Sequence, residues 1–206
     1  MFENIIVNKP WGYEYLVYEN DDVGVWYLNI KYGHTTSLHA HPNKKTGLIV
    51  LSGAAEISFL NHTFKLIPPD KTMIRQGVFH STKAVSKQGL EVLEIETPKD
   101  KYDLIRLEDY YGRAGQPYEN SSHYDKYQTP FATLRNQEQI TLGDCQLYKR
   151  NGLCLNEYHT CVITDGGIKS DYYNVLSPGD IVDNSTLVRL VKKFNTCRSK
   201  IIGLEY

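Results

Sequence analysis

Gly33-His34-Thr35-Thr36-Ser37-Leu38-His39-Ala40-His41, then Leu48-Ile49-Val50-Leu51-Ser52-Gly53, then Arg75-Gln76-Gly77-Val78-Phe79-His80, are the stretches whose reading decides how this chain folds. In an extended strand, residues two apart point to the same face, so His39 and His41 project together while Ala40 faces the other way. Two imidazoles on one face can chelate a single cation, and a third from another strand closes the facet. His80, placed after the Gly77 turn, is the candidate for that third ligand.

The surrounding sequence reads as short strands. Tyr13–Tyr18, Val25–Tyr32, Leu48–Leu51, Ala54–Leu60, Thr63–Leu66, Thr72–Arg75 and Leu90–Thr97 each cluster or alternate apolar, β-branched and aromatic residues. Turn formers stand between them, at Asn20-Asp21-Asp22, Tyr32-Gly33-His34, Ser52-Gly53, Leu60-Asn61-His62 and Pro68-Pro69-Asp70. No amphipathic helix of normal length competes, so the expectation is an all-β sandwich or small barrel.

From Lys101 to Tyr111 the pattern allows a short helix, or a strand with an exposed turn. Residues 112–130 are rich in Gly, Pro, Ser, Asn and Tyr without periodicity, which predicts a connection over the surface. Beyond it, Gln146–Lys149, His159–Thr164, Asp180–Val182, Thr186–Val191 and Lys200–Leu204 again read as strands. The expected organisation is therefore a metal-binding barrel over 1–111, a linker over 112–130 and a second β unit over 131–206.

Composition narrows the function. The 206 residues carry a formal net charge of −1 with no basic block, which argues against a nucleic-acid surface and for a small, anionic ligand. The four cysteines, Cys145, Cys154, Cys161 and Cys197, form no C-x-x-C pair and read as reduced core thiols. Neither a signal peptide nor an apolar stretch of membrane-spanning length is present, so a cytoplasmic chain without membrane contact is expected.

The order G-x5-H-x-H, a glycine twelve residues after the second histidine, then G-x-x-H resembles the two-part signature of the cupin superfamily. Lys9-Pro10-Trp11-Gly12-Tyr13-Glu14, Ser37-Leu38-x-x-His41, Ile49-Val50-Leu51-Ser52-Gly53 and the run from Asp103 to Arg113 resemble the cupin domain of type II mannose-6-phosphate isomerases, over residues 9–113. The resemblance implies a jelly-roll cupin barrel with a divalent transition metal (Zn, Fe, Mn or Ni) on His39, His41 and His80. The stretch from Gly166 to Val182 resembles the middle of a second barrel, which makes the chain a bicupin with a degenerate C-terminal half that buries the first barrel's edges or builds a homodimer interface.

Two departures qualify the likeness. Family members place a glutamate where this chain has Thr46, so the fourth ligand is missing or replaced. Bifunctional relatives also carry an upstream nucleotidyltransferase domain, and the expectation here is a chain without that activity.

The catalytic candidates are Glu94, Glu96 and Arg75. Glu94 and Glu96 share one strand face, and if it is the inner face they suit proton transfer or replacement of the missing ligand. Lys9, Lys45, Arg106 and Arg113 are cations able to grip a phosphate, and Trp11 is a surface on which a sugar ring could stack. The resemblance implies a metal-dependent sugar-phosphate isomerase or epimerase of polysaccharide or nucleotide-sugar metabolism. The metal would polarise a carbonyl and its neighbouring hydroxyl, stabilising an ene-diolate while a carboxylate such as Glu96 moves the proton. The alternatives are a non-catalytic sugar or phosphosugar binder and, third, an iron-dependent oxygenase.

Overall fold

The computed structural model describes residues 2–126 and 131–206. Up to residue 126 the described chain forms β1 (Ile5–Lys9), β2 (Gly12–Glu19), β3 (Gly24–Ile30), β4 (Leu38–Ala40), β5 (Lys45–Gly53), β6 (Ala55–Phe59), β7 (Thr63–Leu66), β8 (Lys71–Ile74), β9 (His80–Ala84), β10 (Leu90–Thr97), β11 (Ile105–Glu108) and β12 (Tyr124–Lys126). They make a seven-stranded sheet in the order β12-β1-β2-β3-β10-β5-β8 and a five-stranded sheet in the order β11-β4-β9-β6-β7. The two sheets face each other across an interior filled by Leu28, Ile30, Leu48, Val50 and Val92 from one side and Ala55, Ile57 and Ala84 from the other. This is the all-β barrel expected from the strand pattern.

Strands β3, β5 and β10 are apolar on both faces because both are covered. Val25, Tyr27, Ile49, Leu51, Leu93 and Ile95 point away from the barrel interior and share one core with Ile140, Leu142, Leu147, Val162, Ile202 and Leu204 of the C-terminal residues. Those residues come from β13 (Gln139–Leu142), β14 (Cys145–Asn151), β15 (Thr160–Asp165) and β20 (Lys200–Glu205), four strands of a five-stranded antiparallel sheet. Between β15 and β20 the chain also makes β16 (Ile168–Lys169), β17 (Asn174–Leu176), β18 (Ile181–Asp183), α1 (Asn184–Val191) and β19 (Asn195–Thr196). The C-terminal sheet therefore buries a face of the barrel, where its edges were the expected place.

Two further segments differ from expectation, and one open alternative is resolved. Residues 186–191, expected as a strand from their β-branched content, lie in α1, because Leu187, Leu190 and Val191 recur at helical spacing and pack on one cluster. Of the two readings left open for residues 101–111 the structure takes the strand, β11, which pairs with β4. The segment expected as a surface connection adds β12 to the seven-stranded sheet and buries Tyr118 and Glu119, while its last four residues, 127–130, lie outside the described residues. Among the described residues no helix is long and apolar enough to cross a membrane. All four cysteines are free; Cys145 and Cys161 are buried as expected, whereas Cys154 and Cys197 are only half-buried.

Candidate metal centre

His39 and His80 are direct partners across β4 and β9, and His41 follows just past the end of β4. One nitrogen from each ring lies within 4.8 Å of the others, and the three residues are buried. Gly77, with φ of +72°, makes the turn that brings β9 back, and its N–H donates to the His41 carbonyl at 2.8 Å.

Each ring is oriented by a backbone carbonyl. His39 Nδ1 lies 2.8 Å from the Ser37 carbonyl, His41 Nδ1 2.6 Å from that of Asp103, and His80 Nδ1 3.0 Å from that of Val78. A carbonyl only accepts, so each Nδ1 carries the proton and each Nε2 keeps its lone pair. Nε2 of His41 and of His80 is buried and has no hydrogen-bond partner. Burial is the main force holding all three rings below the ordinary histidine range. His80 and His41 add to it at His39, and Lys44 and His80 add to it at His41, which is pushed down to about 3. Three neutral imidazoles with fixed tautomers, two of them with buried, unpartnered Nε2 lone pairs, are a donor set that fits a divalent transition metal, carbonyl-oriented as metal-binding histidines generally are.

The missing carboxylate has a structural counterpart. Thr46 pairs with Glu96 across β5 and β10, its hydroxyl is buried without a partner, and Glu96 Oε2 is likewise unpartnered. Glu96 Oε1 meanwhile accepts from Lys44 at 2.7 Å and lies 3.1 Å from Lys101. Glu94 and Glu96 thus sit on the inner face of β10, with Glu94 2.9 Å from Lys101.

His39 and His41 open on a cavity of about 50 Å³ that Glu94, Glu96, Trp11, Lys9 and Arg113 also line, while His80 completes the cluster without lining it. Among the sequence candidates other than the histidines, two fall outside it. Arg75 is exposed in the turn after β8, and Lys45 points to the C-terminal residues, where it pairs with Asp180. Its neighbour Lys44 takes the inward place, because adjacent strand positions face opposite ways. Arg106 does line the cavity, and in the β4–β11 ladder it is the direct partner of His39.

Sequence reasoning did not single out Glu14, Lys44, Lys101 or Tyr118, which complete the polar wall, or Glu119, which pairs with Lys9, Arg106 and Arg113. Lys101 reaches Glu14, Glu94 and Glu96 and stands 4.2 Å from the centre of the Trp26 ring. Burial would depress its ammonium, but those three carboxylates prevail and raise it. Glu14 is held down to about 2, burial being overcome by Lys101 and Lys9. Every one of these charges is paired, as burial demands, since an unpaired buried ion costs several kcal/mol.

A family model described as mannose-6-phosphate isomerase C-terminal matches residues 3–109, half of the chain. The chain belongs to this family. The xanthan biosynthesis protein XanB of Xanthomonas campestris pv. campestris is 34% identical over 113 residues, covering 52% of this chain and 23% of that protein. The alginate biosynthesis protein AlgA of Pseudomonas aeruginosa is 32% identical over 117 residues, covering 54% and 24%. The match thus spans about a quarter of the length of these relatives. Among solved structures, KdgF from Halomonas sp. aligns with a TM-score of 0.42 at 20% identity, over 45% of this chain and 84% of that one.

Proposed function

We propose that this chain is a metal-dependent sugar-phosphate isomerase or epimerase of polysaccharide or nucleotide-sugar metabolism. One arrangement supports the reading: the clustered His39, His41 and His80 stand at a cavity that His39 and His41 line together with Lys9, Arg106 and Arg113. A divalent ion held by His39, His41 and His80 supplies Lewis-acid polarisation of a ligand's oxygens. The basic side chains bind the anionic end of the ligand, and the His39–Arg106 pairing sets that end beside the histidines. Glu96 offers Oε2 as the proton acceptor at the wall, its other oxygen being held by Lys44 and Lys101. Trp11 presents an apolar surface to the same space. The names of XanB and AlgA, which place those proteins in xanthan and alginate biosynthesis, support a sugar ligand.

A second reading, a sugar-binding module without turnover, is favoured by Thr46 at the family's glutamate position and by the small size of the cavity, well below the usual few hundred Å³ of a ligand pocket. Metal analysis of the purified chain followed by an isomerisation screen with hexose and heptose phosphates separates the two. Turnover that depends on added metal and disappears in His80→Ala supports the enzyme. Tight binding of a sugar phosphate by the metal-loaded chain, without interconversion, supports the module.

A further inference from the structure

Glu96 and Lys101 form the wall between two cavities. On one side they line the cavity that His39 and His41 open on, and on the other a second cavity of about 200 Å³, with Leu16, Gly24 and Trp26. Among the described residues these two line both. The second cavity reaches solvent beside Lys99, Asp100 and Tyr102, which are exposed on the segment after β10.

The side chains of Glu96 and Lys101 are only 1% and 6% exposed, yet one atom of the pair is left over. Glu96 Oε1 is held by Lys44 at 2.7 Å and by Lys101 at 3.1 Å, while Oε2 is buried without a partner. The sheet explains what Oε2 faces. Glu96 pairs with Gly24 across β10 and β3, and paired residues share a face. A Cβ on Gly24 would stand 3.8 Å from Glu96 Oε2 and 3.3 Å from Trp26 Nε1. The absent side chain therefore leaves a space with an acceptor and a donor on its rim, at the edge of the second cavity. Gly24 does not adopt a left-handed backbone, so conformation does not demand glycine there, and the open space is what a larger residue would remove.

A buried space hydrates when it is polar and roomy, each water needing about 10–15 Å³ of such volume and two to four polar partners. We infer that the second cavity is a water passage through which Glu96 and Lys101 exchange protons with solvent, separate from the mouth that takes the ligand. Each exchange is balanced: a proton passes from the wall to water and another returns from water, so the charges of the ion pair are restored. A partition made of two side chains passes protons and stops anything larger. The passage stands on the geometry alone. Its use in turnover rests on the isomerase reading, in which a proton taken up by Glu96 exchanges with solvent while the ligand stays bound.

The test is the exchange of lysine ammonium hydrogens with water, read by nuclear magnetic resonance on the metal-free chain with isotope-labelled lysine. Lys9 is the internal control, since it is buried and ion-paired like Lys101 but lines the histidine-side cavity only. Gly24→Val fills the space beside Oε2. It is expected to slow exchange at Lys101 by at least about tenfold, because protons must then wait for local opening, and to leave Lys9 within about twofold. A Lys101 signal broadened away in the wild type and recovered in Gly24→Val is the same result. Equal Lys101 rates in the two chains, or equal slowing at Lys101 and Lys9, overturn the passage. Should Gly24→Val not fold, Gly24→Ala, whose single methyl meets side-chain atoms of Trp26 and Lys99 at 3.3 and 3.4 Å, carries the same comparison with a smaller slowing expected, and no slowing overturns the passage. The measurement uses neither sugar nor metal, so a chain that interconverts no sugar phosphate can still show the passage, and loss of the passage leaves the isomerase reading standing.

Discussion

Arg106 stands directly across the β4–β11 ladder from His39. Directly opposed residues in an antiparallel pair have Cβ atoms about 5 Å apart on the same face, so the strand pairing itself ties an anion-binding group to the histidine cluster. One ligand carrying both an oxygen donor and an anionic end can meet both groups. Replacing Arg106 by Leu should therefore weaken sugar-phosphate binding far more than binding of the unphosphorylated sugar, while metal content stays at the wild-type level. Equal losses for the two ligands would show that Arg106 acts only on the fold.

Acid should destabilise the metal-free chain. His41 is held at about 3 against an ordinary 6.5, with His39 and His80 lowered as well, so below pH 6.5 the unfolded chain takes up protons that the folded chain refuses. Glu14, held at about 2 against 4.5, adds a second loss as pH falls below 4.5. In both cases the unfolded state binds more protons, which lowers stability by about tenfold in the folding constant per pH unit per proton. Urea midpoints at pH 7.5, 5.5 and 4.5 should fall in that order, and a flat or rising series would contradict the buried, neutral triad.

The turn after β5 depends on its glycine. Gly53 adopts φ of +84°, and a Cβ there would lie 2.2 Å from the Gly89 carbonyl oxygen. Gly53→Ala should cost at least about 1–3 kcal/mol from the left-handed backbone alone, with the backbone clash added to it. Thermal denaturation reads the loss, and a variant as stable as the wild type would refute the close approach.

Much of the barrel was legible because strand alternation, turn residues and the histidine spacing all point the same way. The inward direction of Glu94 and Glu96 was not. On β10 the outward positions Leu93 and Ile95 are apolar and buried by the C-terminal sheet, which inverts the usual polar-out reading. Lys44 and Lys45 differ by one position and therefore by face, and nothing local says which is inward. Glu14, Lys101 and Glu119 are charged residues that a sequence places in solvent by default; only the closed barrel brings them together.

The shared core between barrel and C-terminal sheet predicts a single cooperative unit. Both tryptophans, Trp11 and Trp26, lie in the barrel, so intrinsic tryptophan fluorescence reports on it alone while far-UV circular dichroism reports on the whole chain. Their urea transitions should coincide. Leu147→Ala, a fully buried C-terminal position in that core, should shift both by about 2–5 kcal/mol, and a shift in the dichroism alone would mean the two halves unfold separately.

The most direct measurement is zinc or nickel binding to the metal-free chain at neutral pH, followed by isothermal titration calorimetry beside His39→Ala and His80→Ala. One equivalent per chain, with affinity falling at least about 100-fold in either variant, is the predicted result, since even outer-shell changes cost 10–100-fold. Absence of binding to the wild type, or binding that survives both substitutions, would contradict a metal held by His39, His41 and His80.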